Sequence, residues 1–90
     1  MRKDKLTAHI DILTAGVKAQ HEKLIENLHK EPITILDLDE SIHHLKVELL
    51  ELQEELDEQD RNLEAIRLEL ADCANFIHAA IFAIDNDLKE

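Results

Sequence analysis

The stretch Ile42-His43-His44-Leu45-Lys46-Val47-Glu48-Leu49-Leu50-Glu51-Leu52-Gln53-Glu54-Glu55-Leu56 decides how this chain folds. Ile42, Leu45, Leu49, Leu52 and Leu56 recur at intervals of three, four, three and four residues. That is the period of a helix with one buried side. Glu48, Glu51 and Glu55 run beside the stripe, and Glu48 and Glu51, three residues apart, leave the helix on nearly the same side. A second segment repeats the form. Leu63, Ile66, Leu70, Ile77, Ile81, Ile84 and Leu88 make its stripe, and Glu69 and Asp72 make its spaced acidic pair.

Composition agrees with long helices and short connections. The 90 residues include one Gly, one Pro, two Phe and neither Trp nor Tyr, while Leu, Ile and Glu dominate. A chain of this size makes one domain, 1–90, and buries only a modest share of its surface alone. Stripes on three helices then predict self-association, with dimer and tetramer not separated by the sequence. Ten basic against 21 acidic residues give a formal charge of −11, which repels nucleic acid and anionic membranes. Such a surface still admits phosphate substrates if clustered carboxylates hold a divalent cation. A lone Cys73 makes no internal disulfide. Neither a signal peptide nor a membrane span is evident, so the expected compartment is the cytoplasm.

The first helix is expected over 5–29, with Leu6, Ile10, Leu13, Val17 and Leu24 as its stripe and Gly16 marking either a close helix contact or a weak point. Pro32 disfavours helix at Glu31 and ends it. Ile33 to Leu38 is β-branched in part, but no second strand candidate exists to pair with it. It reads as an extended connection with Ile35 and Leu36 packed on the helices. Asp37 or Asp39 caps the second helix, expected over 40–58. Asp57 to Asn62 lacks apolar residues and is the natural break before a third helix over 61–87, capped by Asp60 or Asn62, although its helix propensity leaves a bend or one continuous long helix open. A short break makes helices two and three antiparallel. The expected fold is therefore all-α: three long helices assembling into an oligomeric helical bundle.

In that hairpin Glu48 and Glu51 lie at a height comparable to Glu69 and Asp72, roughly 10–15 Å from the bend. Four converging carboxylates repel and raise one another's pKa values. A hard divalent cation, Mg²⁺ or its substitute Mn²⁺, resolves the repulsion because it takes several oxygen ligands. Each acid of the set except Asp72 is flanked by large hydrophobes on both sides in sequence, unlike Glu54 and Glu58. With 21 acids in the chain, spaced pairs also arise by chance, so spacing alone leaves a solvated acidic face open.

The segments Leu45-Lys46-Val47-Glu48-Leu49-Leu50-Glu51-Leu52 and Glu69-Leu70-Ala71-Asp72-Cys73-Ala74-Asn75-Phe76 resemble the MazG-like all-α nucleoside triphosphate pyrophosphohydrolases. That family carries ExxE, a gap, then ExxD; here 17 residues separate Glu51 from Glu69. The likeness extends over about Lys23 to Asp85 and is nearest to the small phage-type dATP/dGTP pyrophosphohydrolases. Val47 stands where the family often has a further Glu. The resemblance implies a dimer or dimer of dimers, working in a host cytoplasm if phage-encoded. It implies that Glu48, Glu51, Glu69 and Asp72 hold Mg²⁺ and form the catalytic set. A (deoxy)purine nucleoside triphosphate such as dATP or dGTP would be cut between its α- and β-phosphates, giving the monophosphate and pyrophosphate.

Further substrate-binding candidates surround this set. Asn75 follows Asp72 by three residues and reaches sugar, base or a ligating carboxylate, or else makes a helix-packing hydrogen bond. Lys46 meets a phosphate or balances acidic neighbours. Lys30 and His29 end the first helix, where cations are favoured by the helix C-terminus, or reach phosphate or base across a subunit boundary, and Asn27 is a further base-contact candidate. His43 and His44 lack the further ligands zinc requires, and His78 and Cys73 are spaced so as to point apart. Cys73 reads as a small core residue, and Phe76 and Phe82 as core or interface ahead of base-stacking platforms, although Phe76 borders the proposed site. The competing reading is a non-catalytic acidic helical bundle or coiled-coil-like interaction module, with the Ile42–Leu56 stripe as its seam.

Overall fold

The computed structural model describes residues 4–28 and 35–86, and over these it is helical: α1 spans Lys5–Leu28, α2 Leu38–Asp57 and α3 Leu63–Asp85. Residues 29, 33, 34 and 87 of the expected elements lie outside the described residues. α2 begins two residues earlier than expected, and the reason is its cap. Asp37 is in extended conformation, and its Oδ1 accepts from the Glu40 amide at 2.8 Å while the Glu40 carboxylate accepts from the Asp37 amide at 3.2 Å. This reciprocal box satisfies two amide donors at the helix entrance. The Ser41 hydroxyl, fully buried, donates to the Asp37 carbonyl at 2.8 Å. Ahead of the cap Leu36 is half-buried, but Ile35 is 69% exposed, so the expected packing of Ile35 on the helices is corrected.

The break after α2 is real. Asn62 caps α3, its side-chain oxygen accepting from the Ala65 amide at 3.1 Å, and Arg61 Nε donates back to the Leu56 carbonyl at 3.0 Å. α2 and α3 run antiparallel. Leu52, Ile66 and Cys73 form the buried cluster between them, with Leu45 and Leu56 packed against it, and farther from the turn His44 meets Phe76. Cys73 is thus the small core residue its sequence context suggested.

α1 packs on α3 and not on α2, so α3 lies between its two neighbours. Three helices in a row enclose no common core, and this changes which side chains are buried. Leu52 and Ile66 are the only large aliphatics among the buried described residues; the others are Ala19, Ala71, Cys73, Ala80 and Ala83. The α1 stripe of Leu6, Ile10, Leu13, Val17 and Leu24 is exposed throughout, and so are Leu63, Leu70, Ile77, Ile81 and Ile84 of α3. The periodicity located the helices correctly but overstated what a single chain buries.

One side of the α2–α3 hairpin is apolar. Leu49 follows Glu48 and Leu70 follows Glu69, each turned about 100° around its helix. Because the helices are antiparallel, this step carries both leucines across the buried Leu52–Ile66 seam to the side opposite the glutamates. Leu49 is 47% and Leu70 52% exposed there, and Ile42 and Ile77 continue the edge.

A Cβ added at Gly16 would meet nothing within 4 Å, so the glycine does not mark a close contact within the chain. It is a weak point in an exposed helix. Gly16→Ala is expected to stabilise the fold by about 0.5–1 kcal/mol, read as a higher midpoint in thermal or urea unfolding. A lower midpoint would contradict this account of Gly16.

Candidate metal centre

The hairpin brings three of the four proposed ligands together. Carboxylate oxygens of Glu48 and Glu51 on α2 and of Glu69 on α3 all lie within 4.8 Å of one another. Glu51 is exposed, Glu48 and Glu69 are half-buried, and Asp72 is buried. Asp72 lies outside the mutually close set but acts electrostatically on Glu48. The register explains the gathering. Glu48 and Glu69 border the Leu52–Ile66–Cys73 seam from its two walls, and Glu51 and Asp72 follow each of them three residues on along its helix.

The site is electrostatically unbalanced. Burial pushes the Glu48 carboxyl up to about 9, and the neighbouring carboxyls of Glu69, Asp72 and Glu51 add to the effect. One oxygen of Glu48 and one of Glu69 are buried without a hydrogen-bond partner. Polar atoms buried in this way are costly unless something satisfies them. Behind the cluster the Cys73 thiol is pushed up as well, first by burial and then by Glu48, Glu69 and Asp72, which keeps it neutral and poorly suited to nucleophilic work.

These residues fit a hard divalent cation. The donor set is all carboxylate oxygen, which suits Mg²⁺, Mn²⁺ or Ca²⁺ and not a thiolate- or imidazole-preferring ion. A cation would cancel the repulsion and give the two orphaned oxygens a partner.

The other candidates fall elsewhere. Asn75 spends its amide on α1: its Nδ2 donates to the Gln20 carbonyl at 3.2 Å, and its Oδ1 accepts from Gln20 Nε2 at 3.2 Å. Gln20 Nε2 also lies 2.8 Å from His78 Nδ1. Within one chain the helix-packing alternative for Asn75 is therefore the one realised. The sequence signal for Gln20 was the polar interruption of the α1 stripe between Val17 and Leu24. Lys46, two residues before Glu48, projects from a different side of α2 and is exposed, so one chain does not bring it to the cluster. Asn27 is half-buried in the last turn of α1, across α3 from α2. His29 and Lys30 lie outside the described residues. His44 stacks on Phe76, with ring centroids 5.1 Å apart and planes at 10°, a pairing across the two helices that the sequence reading of Phe76 did not include.

No family profile, curated protein or solved structure matches this chain.

The raised Glu48 carboxyl sets a sign for pH dependence. The folded chain holds this proton more tightly than the unfolded chain, so ionisation works against folding. Stability contributed by the group is present below its ordinary value of 4.5 and is lost as pH rises toward about 9. The thermal midpoint of metal-free protein should fall more steeply over this window in the wild type than in Glu48→Gln. Added Mg²⁺ or Mn²⁺ should offset the loss in the wild type. Equal slopes, with no effect of either ion, would remove the carboxylate cluster as the cause.

Proposed function

We propose that this chain is a divalent-cation-dependent nucleoside triphosphate pyrophosphohydrolase of the MazG-like all-α type. The observation that carries the reading is the convergence of Glu48, Glu51 and Glu69 with two buried carboxylate oxygens lacking partners. The ordered ExxE and ExxD pattern supplies the resemblance, and the antiparallel hairpin brings its two halves to one place. Glu48, Glu51 and Glu69 would hold the cation, with Asp72 beside them as the fourth acid of the pattern. When bound, Mg²⁺ supplies positive charge toward the phosphates and Lewis acidity toward the attacking water. The protein's part is to fix the carboxylates on two helices whose register is locked by Leu52, Ile66 and Cys73. Water attacks the α-phosphorus, the bond to the bridging oxygen of the β-phosphate breaks, and the nucleoside monophosphate and pyrophosphate leave.

Self-association belongs to the same proposal. The exposed edge of Ile42, Leu49, Leu70 and Ile77 lies opposite the acidic side, and the α1 stripe is also open. Apolar surface on this scale in a 10.4 kDa chain favours burial against a second copy. Association through the apolar side would leave the acidic side accessible. A non-catalytic helical module would also use that edge, but it supplies no reason for acidic oxygens to be buried together.

A panel of ribo- and deoxyribonucleoside triphosphates with Mg²⁺ or Mn²⁺ tests the activity. Monophosphate and pyrophosphate are the expected products, with dATP and dGTP among the substrates. Glu51→Gln and Asp72→Asn are expected to retain helicity by circular dichroism while losing at least about a hundredfold in turnover. Folded wild-type protein that hydrolyses no triphosphate would overturn the reading.

Light scattering tests the assembly. The wild type should show a mass that is a multiple of 10.4 kDa, and Leu49→Asp with Leu70→Asp should shift it toward the single chain. A wild-type chain that stays at 10.4 kDa at micromolar concentration would refute the proposed association.

A further inference from the structure

We propose that His44, backed by Phe76, is the nucleobase-stacking residue of the metal site; the inference rests on the nucleotide reading above and names which part of the ligand this pair recognises.

The placement comes from the hairpin register. His44 lies four residues before Glu48 on α2, and Phe76 four residues after Asp72 on α3. Residues four apart share a helix face, one turn or about 5.4 Å along. Since the helices are antiparallel, both steps lead away from the turn, and the two rings meet beside the acidic cluster. Their planes, 10° apart, are stacked one on the other, so the pair offers a further ring the outer face of His44. His44 is exposed and Phe76 half-buried, so the histidine is the outer ring of the pair. His43 supports it from the side, with ring centroids 5.9 Å apart and planes at 69°.

The imidazole has no place among the cation ligands, since the mutually close oxygens belong to Glu48, Glu51 and Glu69. A flat π surface one helical turn from a phosphate-binding centre has the chemistry and spacing to take a base while the phosphates of the same nucleotide meet the carboxylate-bound cation. Stacking is tolerant of base identity, because every base presents a π face. The pair therefore contributes affinity for a nucleoside over a bare polyphosphate, and discrimination among bases lies with other groups.

Calorimetric titration of the full chain with Mg²⁺ tests this, using the α,β-methylene analogue of dATP and inorganic tripolyphosphate as probes. The expected result is tighter binding of the analogue than of tripolyphosphate by the wild type. His44→Ala should weaken the analogue about tenfold and leave tripolyphosphate unchanged, while His44→Phe keeps most of the affinity. The His44 ring protons should shift on addition of the analogue and stay in place with tripolyphosphate. Equal weakening of both ligands would assign His44 to phosphate and overturn the proposal, as would unchanged affinity for both. If the wild type binds tripolyphosphate as tightly as the analogue, the base platform is refuted while the phosphate site stands. If it binds neither, the nucleotide reading itself fails, and the inference with it.

Discussion

Carboxylates pressed together in the wall of the α2–α3 hairpin are the constraint on which the rest of this structure turns. Glu48 feels burial first and three neighbouring acids second, and both disfavour its ionised form. An arrangement of this kind is costly for a bare protein and becomes favourable when a cation or a proton cancels the charge. Its survival in the fold depends on the seam beside it. Leu52, Ile66 and Cys73 lock the axial register of the two helices, the Asp37 box fixes where α2 starts, and Asn62 fixes where α3 starts. A slip of one turn between the helices would move Glu69 about 5.4 Å from its partners and disperse the cluster.

The same hairpin divides the molecule into two chemically different sides. Glutamates border the seam on one side and exposed aliphatics on the other, because a single residue step turns the side chain by about 100°. α3 has a neighbour on each flank, and small residues fill much of its contacts: Ala71, Cys73, Ala80 and Ala83 are buried where Leu70, Ile77 and Ile84 are not. A row of helices buries its flanks and leaves its faces open. The large aliphatics on those faces give the chain its apolar surface, and the acids give it its charge.

α1 is held at its C-terminal half. Gln20 joins Asn75 and His78, and Arg67 pairs with Glu22. The exposed ion pair contributes little to stability, whereas the buried Gln20 amide, bonded to two α3 side chains, sets how α1 docks. Asn75 was attractive as a ligand contact because it shares a sequence motif with Asp72. It is turned about 60° from Asp72 on the helix, enough to face α1.

Helix number, helix order, the break at Asp57–Asn62 and the acidic pairs were legible in the chain itself. They depend on local periodicity, on turn and capping chemistry, and on residue type, all of which act over a few residues. Glu48, Glu51 and Glu69 could be nominated together because a short connection forces an antiparallel hairpin and so matches their heights. Which stripe residues are buried was not legible. Periodicity shows that a helix has an apolar side, but not whether that side meets its own chain. The assignment of Asn75 to Gln20, the stacking of His44 on Phe76 and the isolation of Gly16 were likewise decided by tertiary structure. Each depends on the rotation of one helix against another, and rotation is set by packing across residues distant in sequence.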